Sequence, residues 1–192
     1  DAIVRRYRVA GNRARMRADE IGDPSSWDVS FVTDLTDVFA YSPGHIGDLS
    51  NWDVSRVTNM TGMFKHARAP IGISDWDVSN VACLDGMFER SILSDDISGW
   101  DVGRVVSMMD TFNSVTGRLE LNDWDVSNVT NLSGAFRNAE VMGDLSGWDV
   151  SNVTAMVNTF ADGTTLAHGI GEWDVSNVRD MSGMFEHNVV FD

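Results

Sequence analysis

Tryptophan occurs in this 192-residue chain at Trp27, Trp52, Trp76, Trp100, Trp124, Trp148 and Trp173, at intervals of 25, 24, 24, 24, 24 and 25 residues. Each begins a copy of one phrase, written in the second copy Trp52-Asp53-Val54-Ser55-Arg56-Val57-Thr58-Asn59-Met60-Thr61-Gly62-Met63-Phe64. A fixed period in the twenties restricts a chain to stacked-coil architectures, because one short unit cannot bury its apolar face alone whereas a neighbour of the same shape can cover it. The phrase is therefore first a statement about scaffold. Residues that carry function are to be sought where the copies differ or where one repeated group has no structural use.

Within the copy, apolar residues stand three places before tryptophan (Leu49, Ile73, Ile97, Leu121, Leu145, Ile170) and two places after it (Val29, Val54, Val78, Val102, Val126, Val150, Val175). Trp-Asp-Val alternates inward, outward, inward, which predicts a short strand with one buried face. Apolar spacing then changes to three, as in Val57, Met60 and Met63-Phe64, predicting one or two turns of helix. Thr36, Thr61, Asp85, Ser133 and Ser182 sit where such a helix would begin, with side chains suited to cap it. The fold expected is α/β: a leucine-rich-repeat-like right-handed solenoid of seven 24–25-residue coils, with one parallel sheet, short helices opposite and an N-terminal helical cap. A right-handed β-helix is the alternative.

Residues 1–26 stand outside the period. Ile3, Val4 and Tyr7 at helical spacing, among six arginines within the first 17 residues, predict an amphipathic helix over roughly residues 1–17 that covers the first coil. The chain thus divides into a capping helix and turn, 1–26, and a seven-coil repeat, 27–192, in one structural domain. Because the chain stops just after a predicted helix with no closing cap, either truncation or an end-to-end dimer through the C-terminal coil is expected at that end.

Net charge bounds the partners. The chain carries −15, and its acidity lies in the repeats, since the first 17 residues have one acid against their six arginines. Such a body repels phosphate backbones, so nucleic acid is not the expected partner. No apolar run approaches the 18 or more residues of a membrane span. Cys83 is the single cysteine, which excludes an internal disulfide and a cysteine-based zinc site. His45, His66, His168 and His187 hold no fixed offset to one another, and no phosphate loop, dinucleotide fingerprint or nucleophile elbow is present. Catalysis needs unlike residues brought together, whereas a repeat supplies like residues in rows.

One row does call for a partner. Asp28, Asp53, Asp77, Asp101, Asp125, Asp149 and Asp174 are expected to project outward as a ladder. Two carboxylates about 5 Å apart repel by roughly 1 kcal/mol in water and about 3 kcal/mol at an effective dielectric near 20. The repulsion can be offset by hydrogen bonds from the serine two places on, by a bound cation such as Ca²⁺, or by a basic partner. The Thr33, Thr58, Thr130 and Thr154 row invites an ice-binding reading, although Ala82, Val106 and Arg179 interrupt it. The residues after each phenylalanine are the variable ones: Ala40-Tyr41, Lys65-His66, Glu89-Arg90, Asn113-Ser114, Arg137-Asn138, Ala161-Asp162 and Glu186-His187. Varied side chains on a rigid frame suit selective binding.

The run Trp-Asp-Val-Ser-Asn-Val-Thr-Asn-Met-Ser-Gly-Met-Phe, nearly intact at Trp124 to Phe136 and Trp173 to Phe185, resembles the repeat of the BspA-like leucine-rich-repeat surface proteins, a family also represented among mycoplasma lipoproteins and marine microbes. The resemblance covers residues 27–185. It implies a surface or secreted location and a protein or polysaccharide ligand, with no enzymatic activity and no required cofactor. Function is thus expected to be non-enzymatic binding or adhesion; a Ca²⁺-binding structural repeat or an ice-binding solenoid is the alternative.

Overall fold

The computed structural model describes residues 23–42, 44–68, 70–163 and 168–188. The expected helix over residues 1–17 lies outside them. Among the described residues each repeat lies on the next in parallel, and one row of bridges runs through all seven: Asp34, Asn59, Cys83, Ser107, Asn131, Ala155 and Asp180. A second row joins His45, Arg68, Ile92 and Thr116 in the return segments. There, among the described residues, the chain also forms two regular strands, β1 (Arg118–Glu120) and β2 (Glu140–Met142), which pair in parallel with Leu119 opposite Val141.

Two aromatic columns fill the interior. Successive phenylalanines stack face to face from Phe39 to Phe185, as in Phe64 on Phe88 at 5.8 Å and Phe112 on Phe136 at 5.8 Å between centroids. The tryptophans form the second column, as in Trp52 on Trp76 at 6.0 Å and 4°. Each phenylalanine also tilts against the next repeat's tryptophan, so the columns interlock. The valines after tryptophan and the aliphatic residues before it close the core, with Leu49, Val57 and Ile73 fully buried. In the last repeat the counterparts open to solvent: Val175 is 37 % exposed where Val150 is 1 %, and Met181 is 39 % exposed where Met156 is fully buried.

Trp-Asp-Val alternates buried, exposed, buried in the first six repeats, but it is not a strand. Its backbone forms no bridge to its neighbours, and side chains join the repeats there instead. The indole Nε1 of Trp76 donates to the Leu49 carbonyl of the previous repeat at 3.1 Å, and Trp52, Trp100, Trp124, Trp148 and Trp173 repeat the bond to Pro24, Ile73, Ile97, Leu121 and Leu145. Two residues beyond the valine, Asn80, Asn128, Asn152 and Asn177 each donate Nδ2 to a carbonyl of the previous repeat. Each buried indole N–H thus finds the partner it needs, and in doing so ties one repeat to the next. Arg56 and Arg104, which stand in the asparagine position, reach the previous repeat differently: Arg56 over the Phe31 ring, Arg104 to the Asn80 Oδ1 at 2.6 Å.

The short helices expected after the strand are likewise absent. Residues 60–67 form three overlapping turns closed by Met63 to Met60, Lys65 to Gly62 and Ala67 to Phe64. Between these bonds the amides of Met60, Gly62, Phe64 and His66 donate to the next repeat, to the carbonyls of Cys83, Asp85, Met87 and Glu89. An amide spent on the neighbouring repeat is not available to the carbonyl four residues back, and Gly62 and His66 lie in the left-handed region at φ 61° and 53°. Apolar spacing of three arises here from tight turns rather than from a helix.

The predicted capping residues also exchange roles. Thr61 donates its amide and hydroxyl to Asn59 Oδ1, so the residue two places earlier is the cap. Where that acceptor is missing, the previous repeat supplies one. Met109 donates its amide to Asp85 Oδ1 at 2.9 Å, and Val157 donates to the Ser133 hydroxyl at 3.3 Å.

Candidate functional site

The aspartate ladder stands outward as the alternation requires, with all seven side chains exposed. Each carboxylate closes a local turn. Asp53 Oδ1 accepts the Ser55 amide at 3.1 Å and its hydroxyl at 2.6 Å, and the same serine supports Asp28 and Asp77. Asp125, Asp149 and Asp174 accept the serine amide at 3.0 Å, and Asp101, which has Gly103 where the others have serine, accepts only that amide. The serine hydroxyls first, then the serine amides, hold Asp28, Asp53, Asp125, Asp149 and Asp174 below the usual carboxylate range. Neighbouring rungs oppose this, Asp28 acting to raise Asp53 and Asp149 to raise Asp125, but they rank below the hydrogen bonds. Among the described residues no three histidine, cysteine or carboxylate side chains converge as a metal site would need.

Other repeated groups are engaged in the same way. Thr58, Thr130 and Thr154 donate their hydroxyls to carbonyls of the preceding repeat at 3.1 Å. Cys83 is a free thiol touching Thr61 Oγ1 at 3.2 Å, and burial pushes it up from its ordinary value.

The variable pairs after each phenylalanine fall on one corner. Tyr41, His66, Arg90, Ser114, Asn138, Asp162 and His187 all have φ between 50° and 59°, a region that non-glycine residues enter only when the surroundings impose it. Here the imposition is the amide, which donates to the next repeat at 2.7–2.8 Å from Tyr41 through Asp162. Because the main chain is held identically in each repeat, the side chains stand in a column: the Tyr41 and His66 rings stack at 4.7 Å and 17°.

Unlike residues meet along this column. Lys65 pairs with Glu89. Arg137 takes Asp162 through both Nε and Nη2 at 2.9 Å, and His187 Nδ1 lies 3.3 Å from the other oxygen. Arg137, with His187 after it, holds Asp162 below the usual carboxylate range. A cleft of about 360 Å³ opens between Arg90 and Arg137, with Asn113, Ser114, Asn138 and Asp162 around it. Asn138 Nδ2 donates to Ser114 Oγ at 3.3 Å, Ser114 Oγ to Asn113 Oδ1 at 3.0 Å, and Asn113 Nδ2 to Asp110 Oδ1 at 3.0 Å. Among the described residues Arg90 makes no ion pair.

The sequence singles out the variable pairs but not their partners. The signal is nonetheless in the letters: adding one period to Lys65 gives Glu89, and adding 25 to Arg137 gives Asp162.

Comparison with known proteins adds one match. No curated protein matches the chain, and no solved structure does. The family model described as "Mycoplasma protein of unknown function, DUF285" matches residues 11–118 and again residues 114–192, the second match resuming the same repeat where the first ends. With nearly the whole chain matched, this protein belongs to the DUF285 family of repeat proteins.

Proposed function

We propose that this chain is a non-enzymatic binding or adhesion module of a cell-surface or secreted protein, with the variable corner column as its recognition face. The single observation that carries the reading is the contrast between rows. The tryptophan, valine, phenylalanine and aspartate rows repeat one residue, and the indole N–H and the carboxylate Oδ1 of those rows are bonded within the frame, while the Tyr41 to His187 column changes at every step on a repeated backbone. The likeness of the repeat phrase to BspA-like surface proteins supports the location. The frame is read as a solenoid of turns, closer to the β-helix alternative than to a helix-bearing leucine-rich repeat, because amides that would close helices bind the next repeat.

The test is binding of the immobilised chain to matrix proteins and surface polysaccharides, beside a variant carrying Tyr41→Ala, Arg90→Ala and Arg137→Ala. A ligand held by the parent and lost by the variant supports the module. A panel with no ligand, or a ligand indifferent to the column, removes it.

One observation favours a second reading, a Ca²⁺-binding structural repeat. In every rung the bonds reach Oδ1, and among the described residues Oδ2 accepts no hydrogen bond. A melting curve unshifted by millimolar calcium removes that reading. Ice binding is weaker, because the hydroxyls of Thr58, Thr130 and Thr154 are already donated to carbonyls of the preceding repeat; thermal hysteresis decides it.

A further inference from the structure

Resting on the binding reading above, we infer that the ligand is an uncharged polysaccharide strand laid along the column from Tyr41 to His187. Charge comes first. Over the fourteen variable positions Lys65, Arg90 and Arg137 balance Glu89, Asp162 and Glu186, so this corner is neutral on a chain of −15. A polyanion would meet the repulsion of the whole body, with Arg90 alone to hold it, since Lys65 and Arg137 are already paired. A polycation would find its complement on the aspartate ladder instead.

The side chains then narrow the class. Protein interfaces centre on a buried apolar patch, and apart from Ala40 and Ala161 the variable positions hold no aliphatic residue. It offers a stacked ring pair, of which Tyr41 is 58 % exposed, followed by guanidinium, hydroxyl, amide, carboxylate and imidazole. Sugar hydroxyls donate and accept at once, while pyranose rings present a C–H face that rests on aromatic rings. A row mixing donors, acceptors and rings satisfies both. The Asn138, Ser114 and Asn113 chain of hydrogen bonds fixes which way these groups point in the cleft. Spacing agrees: parallel neighbours lie about 4.8 Å apart, and the 4.7 Å between Tyr41 and His66 reproduces that rise, which is comparable to the length of one sugar unit in an extended chain.

Affinity electrophoresis of the whole chain through native gels cast with glucomannan, xyloglucan or laminarin, beside gels cast with polygalacturonate, tests this. At least one neutral polymer should retard the protein, polygalacturonate should not, and Tyr41→Ala or Arg90→Ala should weaken retardation about tenfold, as the loss of one aromatic or guanidinium contact predicts. Both side chains are exposed, and an unchanged melting temperature confirms that the variants fold. Unaltered mobility in every neutral gel, retardation that both variants keep, or retardation by polygalacturonate alone overturns the inference. If a protein ligand is then found to depend on the same column, the binding module stands and only the glycan falls; if no ligand of either kind depends on it, both fall.

Discussion

The Asp110 carboxylate occupies the space that a side chain on Gly134 would need. Gly134, at φ 65°, is directly above Asp110 in the next repeat, and the same fit joins Asp37 to Gly62 and Asn158 to Gly183. At this left-handed position a polar side chain is admitted only beneath a glycine. Gly134→Ala should therefore destabilise the chain by about 2–3 kcal/mol, about 1 from the left-handed backbone and the rest from overpacking. Asp110→Gly in the same chain should recover the packing part and leave the backbone part. Urea unfolding of the two single variants and the double variant measures that coupling; additivity would mean that the two residues do not compete for one space.

Trp124 should be the test case for the indole ladder. Trp124→Phe keeps a ring in the column but removes the donor to the buried Ile97 carbonyl. An unsatisfied buried acceptor costs about 1–3 kcal/mol, so the midpoint in urea should fall accordingly. A loss below about 0.5 kcal/mol would assign the tryptophan's role to packing alone.

Ser91 offers the opposite sign. Its hydroxyl is buried without a hydrogen-bond partner among the described residues, and the same place in the second and fifth repeats holds Ala67 and Ala139. Ser91→Ala should raise stability by about 1 kcal/mol, since it removes a desolvated group without altering the backbone. A lower melting temperature in calorimetry would show that the hydroxyl has a partner after all.

Acid should loosen the ladder. Asp28, Asp53, Asp125, Asp149 and Asp174 lie below the usual carboxylate range when folded, held there by their serines. A lowered folded value means that the unfolded chain binds protons first. The ladder's stabilisation is therefore complete above the ordinary aspartate value of about 3.9 and is lost as pH falls through the folded values. The melting temperature should stay level from pH 7 to about 5 and drop below about 4. Repulsion between rungs works the other way, but it ranks below the serine bonds. A chain that became steadily more stable on acidification would reverse that ranking. Asp125→Asn keeps an acceptor for the Ser127 amide and removes a charge, so its stability should lie within about 0.5 kcal/mol of the parent.

Much of the stacking is legible in the amino-acid sequence. The period places seven tryptophans, seven phenylalanines and their valines in register, and the alternation at Trp-Asp-Val assigns inward and outward faces correctly in the first six repeats, because burial follows side-chain polarity and spacing. The variable column is also visible, since departure from a repeat shows in the letters. Secondary structure is less legible. Val57, Met60 and Met63 keep a spacing of three that a helix and a chain of tight turns share, and only the destination of the amides separates them. Trp76 has the pattern of a strand residue, yet its indole makes the bond that a strand would make through its backbone.

Period and polarity in the letters thus determine which residues are inside and which repeat lies on which. The tertiary structure decides how the repeats are joined. Met60, Gly62, Phe64 and His66 can give their amides to the next repeat only when that repeat is present, and the Asp85 carboxylate can cap Met109 only across the same gap. Hydrogen bonds between residues 23 or 24 apart have no local signature, because each residue's own neighbours are equally compatible with a helix. The pairing of Arg137 with Asp162 belongs to the same class: two residues ordinary in their own repeats become one site when the stack sets them side by side.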